Sequence, residues 1–152
     1  MKQTGTVLLV LAVAAAVGGA QGKPIVKRTN PPSLSKPTGY THVVEVTGGR
    51  TIYVAGQIAL DQAGAMVGKG DLKAQTQQVF ENLKVALAAS GATLDDVVKI
   101  TVFMTDASDL QPFREVRDRY FTGAPPASTL VQVVRLARPD LLIEIEAIAV
   151  AE

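Results

Sequence analysis

The chain of 152 residues contains no cysteine. That excludes disulfides, thiolate metal sites, iron–sulfur ligation, a cysteine nucleophile and a lipid anchor on an N-terminal cysteine. There is one histidine, His42, so no multi-histidine metal site can form within a subunit. Tryptophan is absent. Neither sign of charge dominates: 15 basic and 14 acidic side chains are interspersed along the chain. No basic stripe of the kind that grips nucleic acid is present, and no nucleic-acid partner is expected. The four glycines between residues 56 and 70 fit neither GxxxxGK[ST] nor GxGxxG in the right strand context, so they read as turns rather than a phosphate loop. No GxSxG elbow surrounds Ser33, Ser35 or Ser128, which argues against a hydrolase triad. No metal and no cofactor is expected.

What is present begins with an apolar run, Val7 to Val17, preceded by Lys2 and followed by Gly18, Gly19 and Ala20. The run is short for a membrane span, which needs about 20 apolar residues. The three-part pattern is that of a secretory signal peptide cleaved after Ala20, so residues 1–20 are expected to be removed and the rest to be periplasmic or secreted, with no membrane contact after cleavage. Residues 21–41 hold four prolines and two glycines and are expected to form an extended N-terminal arm. Residues 42–152 have the length of one domain.

Within that domain, Val43–Val46 and Thr51–Ala55 are short β-type runs with Gly48-Gly49 as the turn between them. Asp71 is placed to cap a helix. Leu72, Thr76, Val79, Leu83, Ala86, Leu87 and Ser90 give that helix one buried face at three- and four-residue steps, and Gln75, Gln78, Glu81, Asn82 and Lys84 fill the rest. Gly91 stands at its left-handed C-terminal cap. Val97 to Met104 alternates with both faces largely apolar. A second helix starts near Ser108 or Asp109, with Pro112 in its first turn. Its apolar side is Leu110, Phe113, Val116, Tyr120 and Phe121, and its charged side is Arg114, Glu115, Arg117, Asp118 and Arg119. Two strands close the chain, about Thr129–Leu136 and Leu141–Val150, turning at Arg138-Pro139-Asp140. The order is that of an α+β domain: a mixed sheet with two helices on one face. The other face, rich in Val, Ile and Phe, needs a cover that another subunit would supply.

Three segments in order, YVAGQIAL from Tyr53, VVKITVFMTD from Val97 and IEIEAIAV from Ile143, resemble the Rid family of reactive-imine deaminases, also called YjgF-like proteins. The likeness spans residues 37–150. It implies the chorismate-mutase-like fold, assembled as a homotrimer with ligand clefts between neighbouring subunits. Carried over position by position, it implies that Glu144 positions the water that attacks the imine carbon, a task suited to a carboxylate. Tyr40, Gly56, Gln57, Ser128 and Thr129 then belong to the substrate-binding side. Glu146, two residues on, serves the sheet or an ion pair.

Three positions depart from the family pattern. Ser128 stands where deaminating members carry an arginine, whose planar fork would hold a 2-imino acid carboxylate. Ala55 replaces a frequent serine, and Arg114 replaces an asparagine on the second helix. Arg114 is therefore a candidate to restore the missing positive charge; its ordinary reading is a solvated helix residue. Arg135 and Arg138 read as strand and turn residues. His42 reads as a surface or interface residue.

The expected function is binding of a small imine, enamine or related metabolite in an inter-subunit cleft; hydrolytic deamination to a carbonyl compound and ammonia is left open by the absence of the arginine at position 128. The alternative is a trimer that uses the same cleft for small-ligand binding or protein interaction without turnover.

Overall fold

The computed structural model of the chain describes residues 22–152. The export segment expected over residues 1–20 lies outside the described residues. Among the described residues, no helix is long and apolar enough to cross a membrane.

Strands β1 (Ile25–Thr29) and β2 (Val43–Thr47) pair antiparallel as a two-stranded ladder. The segment expected to be an irregular arm therefore contains a strand. Gly48 and Gly49, both at positive φ (75° and 77°), turn the chain into β3 (Arg50–Ile58). A β-carbon on Gly49 would run into Val150 and Pro24, so the corner closes only on glycine. Helix α1 (Leu72–Ala88) follows, capped by Asp71, whose side chain accepts from Ala74 N. Next come β4 (Val97–Met104), α2 (Gln111–Tyr120), β5 (Ala127–Gln132) and β6 (Ile143–Ala151). Pro112 sits in the first turn of α2, as expected.

The main sheet has the order β3-β6-β4-β5. β6 runs antiparallel to both β3 and β4, and β5 runs parallel to β4. A mixed sheet with two helices over one face is thus the observed architecture, and the β1–β2 ladder is separate from it. The covered face carries Ile52 and Val54 of β3, Ile100, Val102 and Met104 of β4, and Ile143, Ile145, Ala147 and Ala149 of β6. Val79, Phe80, Leu83 and Leu87 of α1 and Phe113 and Val116 of α2 close over them. The alternation of these residues along each strand puts them on the same side of the pleat.

Two polar residues depart from the helix faces expected for them. Gln75 is fully buried. Its amide nitrogen donates to the carbonyls of Gly68 (3.1 Å) and Asp140 (2.9 Å), and its oxygen accepts from Leu142 N (2.8 Å). It is a cross-link between α1 and two loops rather than part of a solvated face. Arg117, placed on the charged side of α2 by its spacing, is also buried, at 8% exposure.

Candidate functional site: two half-sites on opposite faces of the sheet

The first half-site is built by an irregularity in β3. Val54 pairs with Ala147, but the next aligned pair is Gln57 with Ile145. Ala55 and Gly56 thus oppose the single residue Glu146, a bulge that re-aims the strand. Gly56 then lies under Glu144: a β-carbon at position 56 would overlap the Glu144 carboxylate. Glu144 pairs with Phe103 in the sheet and is half-buried. Among the described residues its carboxylate has no ion-pair or hydrogen-bond partner, so both oxygens are free to act on a ligand. The Gln57 side chain donates to Ala55 O at 3.0 Å and stiffens the bulge. Asn82 of α1 donates to the carbonyls of Ile58 and Leu60, both at 2.9 Å, and accepts from Gln78 at 2.8 Å. This anchors the end of β3 to the helix. An open hollow of about 590 Å³ runs along Gly56, Gln57, Ile58, Asn82 and Val85.

The second half-site is built around the start of β5. Thr41, nearly fully buried, donates its backbone N–H to Pro126 O (3.0 Å) and its hydroxyl to Pro125 O (2.6 Å). Those bonds lay residues 38–41 beside β5 and bring Tyr40 to Ser128. Tyr40, Thr38, Ser128 and Arg114 line one small cavity of about 180 Å³ together with Arg117 and Leu130. Arg114 is exposed at its rim, and Ser128 is half-buried. His42 stands edge-on to Tyr40 (centroids 5.1 Å apart), and its Nε2 is 2.9 Å from Ser35 O. It braces the loop rather than entering the cavity.

Ser128 and Glu144 point to opposite sides of the sheet. Ser128 pairs with Ile100, whose side chain is in the helix-covered core, whereas Glu144 pairs with Phe103 on the other face. Thr129, next to Ser128, also turns to that other face, where its hydroxyl accepts from Lys99 Nζ. The candidate residues therefore fall into two groups within one chain: Gly56, Gln57 and Glu144 in one, Tyr40, Arg114 and Ser128 in the other. Thr129 belongs to the open sheet face rather than to either group.

Lys99 has its pKa lowered, chiefly because burial penalises the ammonium; the carboxylate of Glu146 offsets part of this. Glu146 is exposed and pairs with Thr101, beside Lys99.

Arg117 is the residue that the sequence reading missed. Its Nε and Nη2 meet Asp118 Oδ1 at 2.8 and 2.7 Å. Its Cζ lies 5.5 Å from the Phe113 ring centroid. Gly39, at φ 76°, passes so close that any β-carbon there would overlap the guanidinium. The one available signal was this glycine immediately before Tyr40, and it does not name its partner.

A family profile described as Endoribonuclease L-PSP matches residues 32–151. The chain is 47% identical over 112 residues to the protein DfrA of Myxococcus xanthus, covering 74% of this chain and 85% of that one. It is 36% identical over 126 residues to the mouse (Mus musculus) 2-iminobutanoate/2-iminopropanoate deaminase, covering 83% and 90% respectively. A crystal structure of a conserved Rid-family protein from Yersinia pestis superposes with a TM-score of 0.76 at 39% identity, over 82% of this chain and 98% of that one. The profile match begins at residue 32 and carries nothing over to residues 1–20. The expectation of a signal peptide over residues 1–20 therefore has no support and is withdrawn.

Proposed function

The chain belongs to the Rid (YjgF) family, and from that premise we propose that it hydrolyses a small imine or enamine to a carbonyl compound and ammonia, in clefts completed between the subunits of a homotrimer. The observation that carries this reading is the unpartnered Glu144 carboxylate held over the bulge at Gly56. A C=N bond is already electrophilic, so the reaction needs a positioned water and a proton carrier. Water oxygen bonds to the imine carbon while Glu144 accepts a proton from it. That proton passes to nitrogen to give a carbon bearing hydroxyl and amine; the hydroxyl proton is then carried to the same nitrogen, the C–N bond breaks, and ammonia leaves as the carbonyl forms. The Gly56 backbone, free of a side chain, allows substrate or water to approach closely.

Trimer formation is supported by the sheet face opposite the helices. It presents Tyr53 at 78% exposure and Val131 at 39%, with Phe103 and Ile148 half-buried. An apolar band of this kind supports a contact with another copy of the chain. Because the Glu144 group and the Tyr40–Ser128 group stand apart within one chain, the proposed cleft needs residues of a neighbouring copy to complete it. The family description would also suit RNA cleavage, but the sole histidine is engaged with the Ser35 carbonyl. The chemistry therefore favours C=N hydrolysis.

The test is Glu144→Gln, assayed on 2-iminopropanoate generated in situ by an amino-acid oxidase. We expect a loss of about 10²- to 10⁴-fold in turnover with folding and assembly unchanged. Full activity in an assembled Glu144→Gln protein would refute the proposed role.

A further inference from the structure

We infer that Gln75 and Asn82 of α1 are positioning residues for Glu144, each tying down one of the two strands whose pairing places its carboxylate. Gln75 is fully buried, and both N–H groups and the oxygen of its amide meet backbone outside the helix, at Gly68 O, Asp140 O and Leu142 N. Leu142 stands just ahead of β6 and close before Glu144 in the chain. Its own carbonyl accepts from Thr105 N at 3.1 Å, so the entry to β6 is held both from the helix and from the end of β4. Asn82 lies two turns further along the same side of α1. Its amide nitrogen donates to Ile58 O and Leu60 O. Ile58 is the residue of β3 that pairs with Glu144.

These ties matter because the β3–β6 ladder is thin at that point. Its register breaks between Val54 and Gln57, and beyond the break only Gln57–Ile145 and Ile58–Glu144 still pair. A bulge disrupts the ladder locally and bends its strand, so the short stretch after it needs other restraints to hold one position. Gln78 donates to Asn82 Oδ1 at 2.8 Å, which turns the two N–H groups of Asn82 towards the β3 carbonyls. Both N–H groups of each amide are engaged with the protein, so neither residue is assigned to the substrate. They act through Glu144. A water held for attack must be aligned with the imine carbon, and a displacement of about 1 Å can cost about 10²-fold in rate. The inference deepens the proposed imine hydrolysis and rests on it for the effect on turnover, though not for the placement of the carboxylate.

The experiment compares Gln75→Met and Asn82→Ala with Leu87→Ala in the full chain, at a temperature where all three are folded. Leu87 is fully buried on the same helix and takes part in neither tie, so its truncation lowers stability alone. In the two amide variants kcat for imine hydrolysis should fall about tenfold to a hundredfold, with KM changed by less than about twofold. In Leu87→Ala kcat should stay within about twofold of the parent. A second readout needs no turnover. The carbon-13 carboxyl resonance of Glu144, assigned by its loss in Glu144→Gln, should move in Gln75→Met and Asn82→Ala and stay in place in Leu87→Ala. Should Gln75→Met fail to fold, Asn82→Ala carries the test from its half-buried position. A kcat loss in Asn82→Ala no larger than in Leu87→Ala, or an unmoved Glu144 resonance, would overturn the inference. A parent chain that hydrolyses no imine sinks the proposed reaction, and the resonance then decides the placement by itself. Hydrolysis that depends on Glu144 but on neither amide does the reverse.

Discussion

The two faces of the four-stranded sheet are made from the same strands and differ in kind. Along β6, Ile143, Ile145, Ala147 and Ala149 are buried beneath the helices, while the intervening Glu144, Glu146 and Ile148 remain at least partly accessible. Along β4, Ile100, Val102 and Met104 oppose Lys99, Thr101 and Phe103 in the same way. The covered face is uniformly apolar and closes the core of the single chain. The open face mixes a lysine, two acids and threonines with aromatic and aliphatic groups. That mixture is more apolar than a fully wet surface and more polar than a core, which suits the proposed contact between subunits. Burial already depresses the Lys99 pKa in the isolated chain, and a second copy would add to that cost unless Glu146 answers it. The core of the fold is thus closed on one face, while the other carries the candidate acid Glu144 and the surface proposed for assembly.

Truncating a residue on the covered face should have the largest effect. Ile145→Ala removes a fully buried side chain between β3 and β4 and should cost about 2–5 kcal/mol in denaturant unfolding. A cost below about 1 kcal/mol would mean that the core can collapse around the void, and the contrast between the faces would lose its energetic basis. On the open face, Tyr53→Glu should behave oppositely. Tyr53 is 78% exposed in the single chain, so the substitution should change the stability of the isolated chain by no more than about 0.5 kcal/mol. It should nevertheless lower the mass seen in sedimentation velocity, because it puts a charge into the apolar band. An unchanged assembly would locate the subunit contact elsewhere.

The same contrast sets what could be read from the sequence. Alternation along Val97–Met104 and Ile143–Val150 predicts both sheet faces, and the three- and four-residue spacing after Asp71 predicts α1 with its cap, because these signals are local. The strand β1 hides in a proline-rich segment: only two of its five residues, Ile25 and Val26, are aliphatic, and its pairing with β2 spans the intervening Pro31-Pro32 loop. Gln75 looks like a surface residue because its three partners are backbone groups in loops about 7 and 65 residues away. Arg117 looks like part of a charged helix side because its burial depends on Gly39, on a loop that Thr41 ties to Pro125 and Pro126. The bulge beneath Glu144 likewise arises from the register between β3 and β6, which no single strand encodes. Residue types at the site were legible, and the long-range contacts that sort them into two half-sites were not.

The smallest effect concerns how the helical layer itself is held. Tyr120 of α2 stacks on Phe80 of α1 (centroids 4.8 Å apart), and its hydroxyl donates to Glu81 Oε1 at 2.7 Å. Burial, and then the acceptance and charge of Glu81, push the Tyr120 pKa up to about 12. The same hydrogen bond, with Lys84 beside it, holds the Glu81 carboxyl below its usual range. A tyrosine whose pKa is raised on folding contributes stability that is complete below its unfolded value near 10 and lost as pH rises towards about 12. The carboxylate has the opposite sign, and its contribution is lost only as pH falls through its depressed value. Tyr120→Phe keeps the stack and deletes the bond. Discounted for the exposure of Glu81, the loss at neutral pH should be about 1 kcal/mol. The gap between parent and Tyr120→Phe in urea unfolding should hold constant from pH 7 to 9 and close between pH 10 and 12. Curves that stay parallel across that window would show that the ring stack, and not the hydroxyl, fastens α2 to α1, and would make the covered side of the molecule apolar in its fastening as well as in its core.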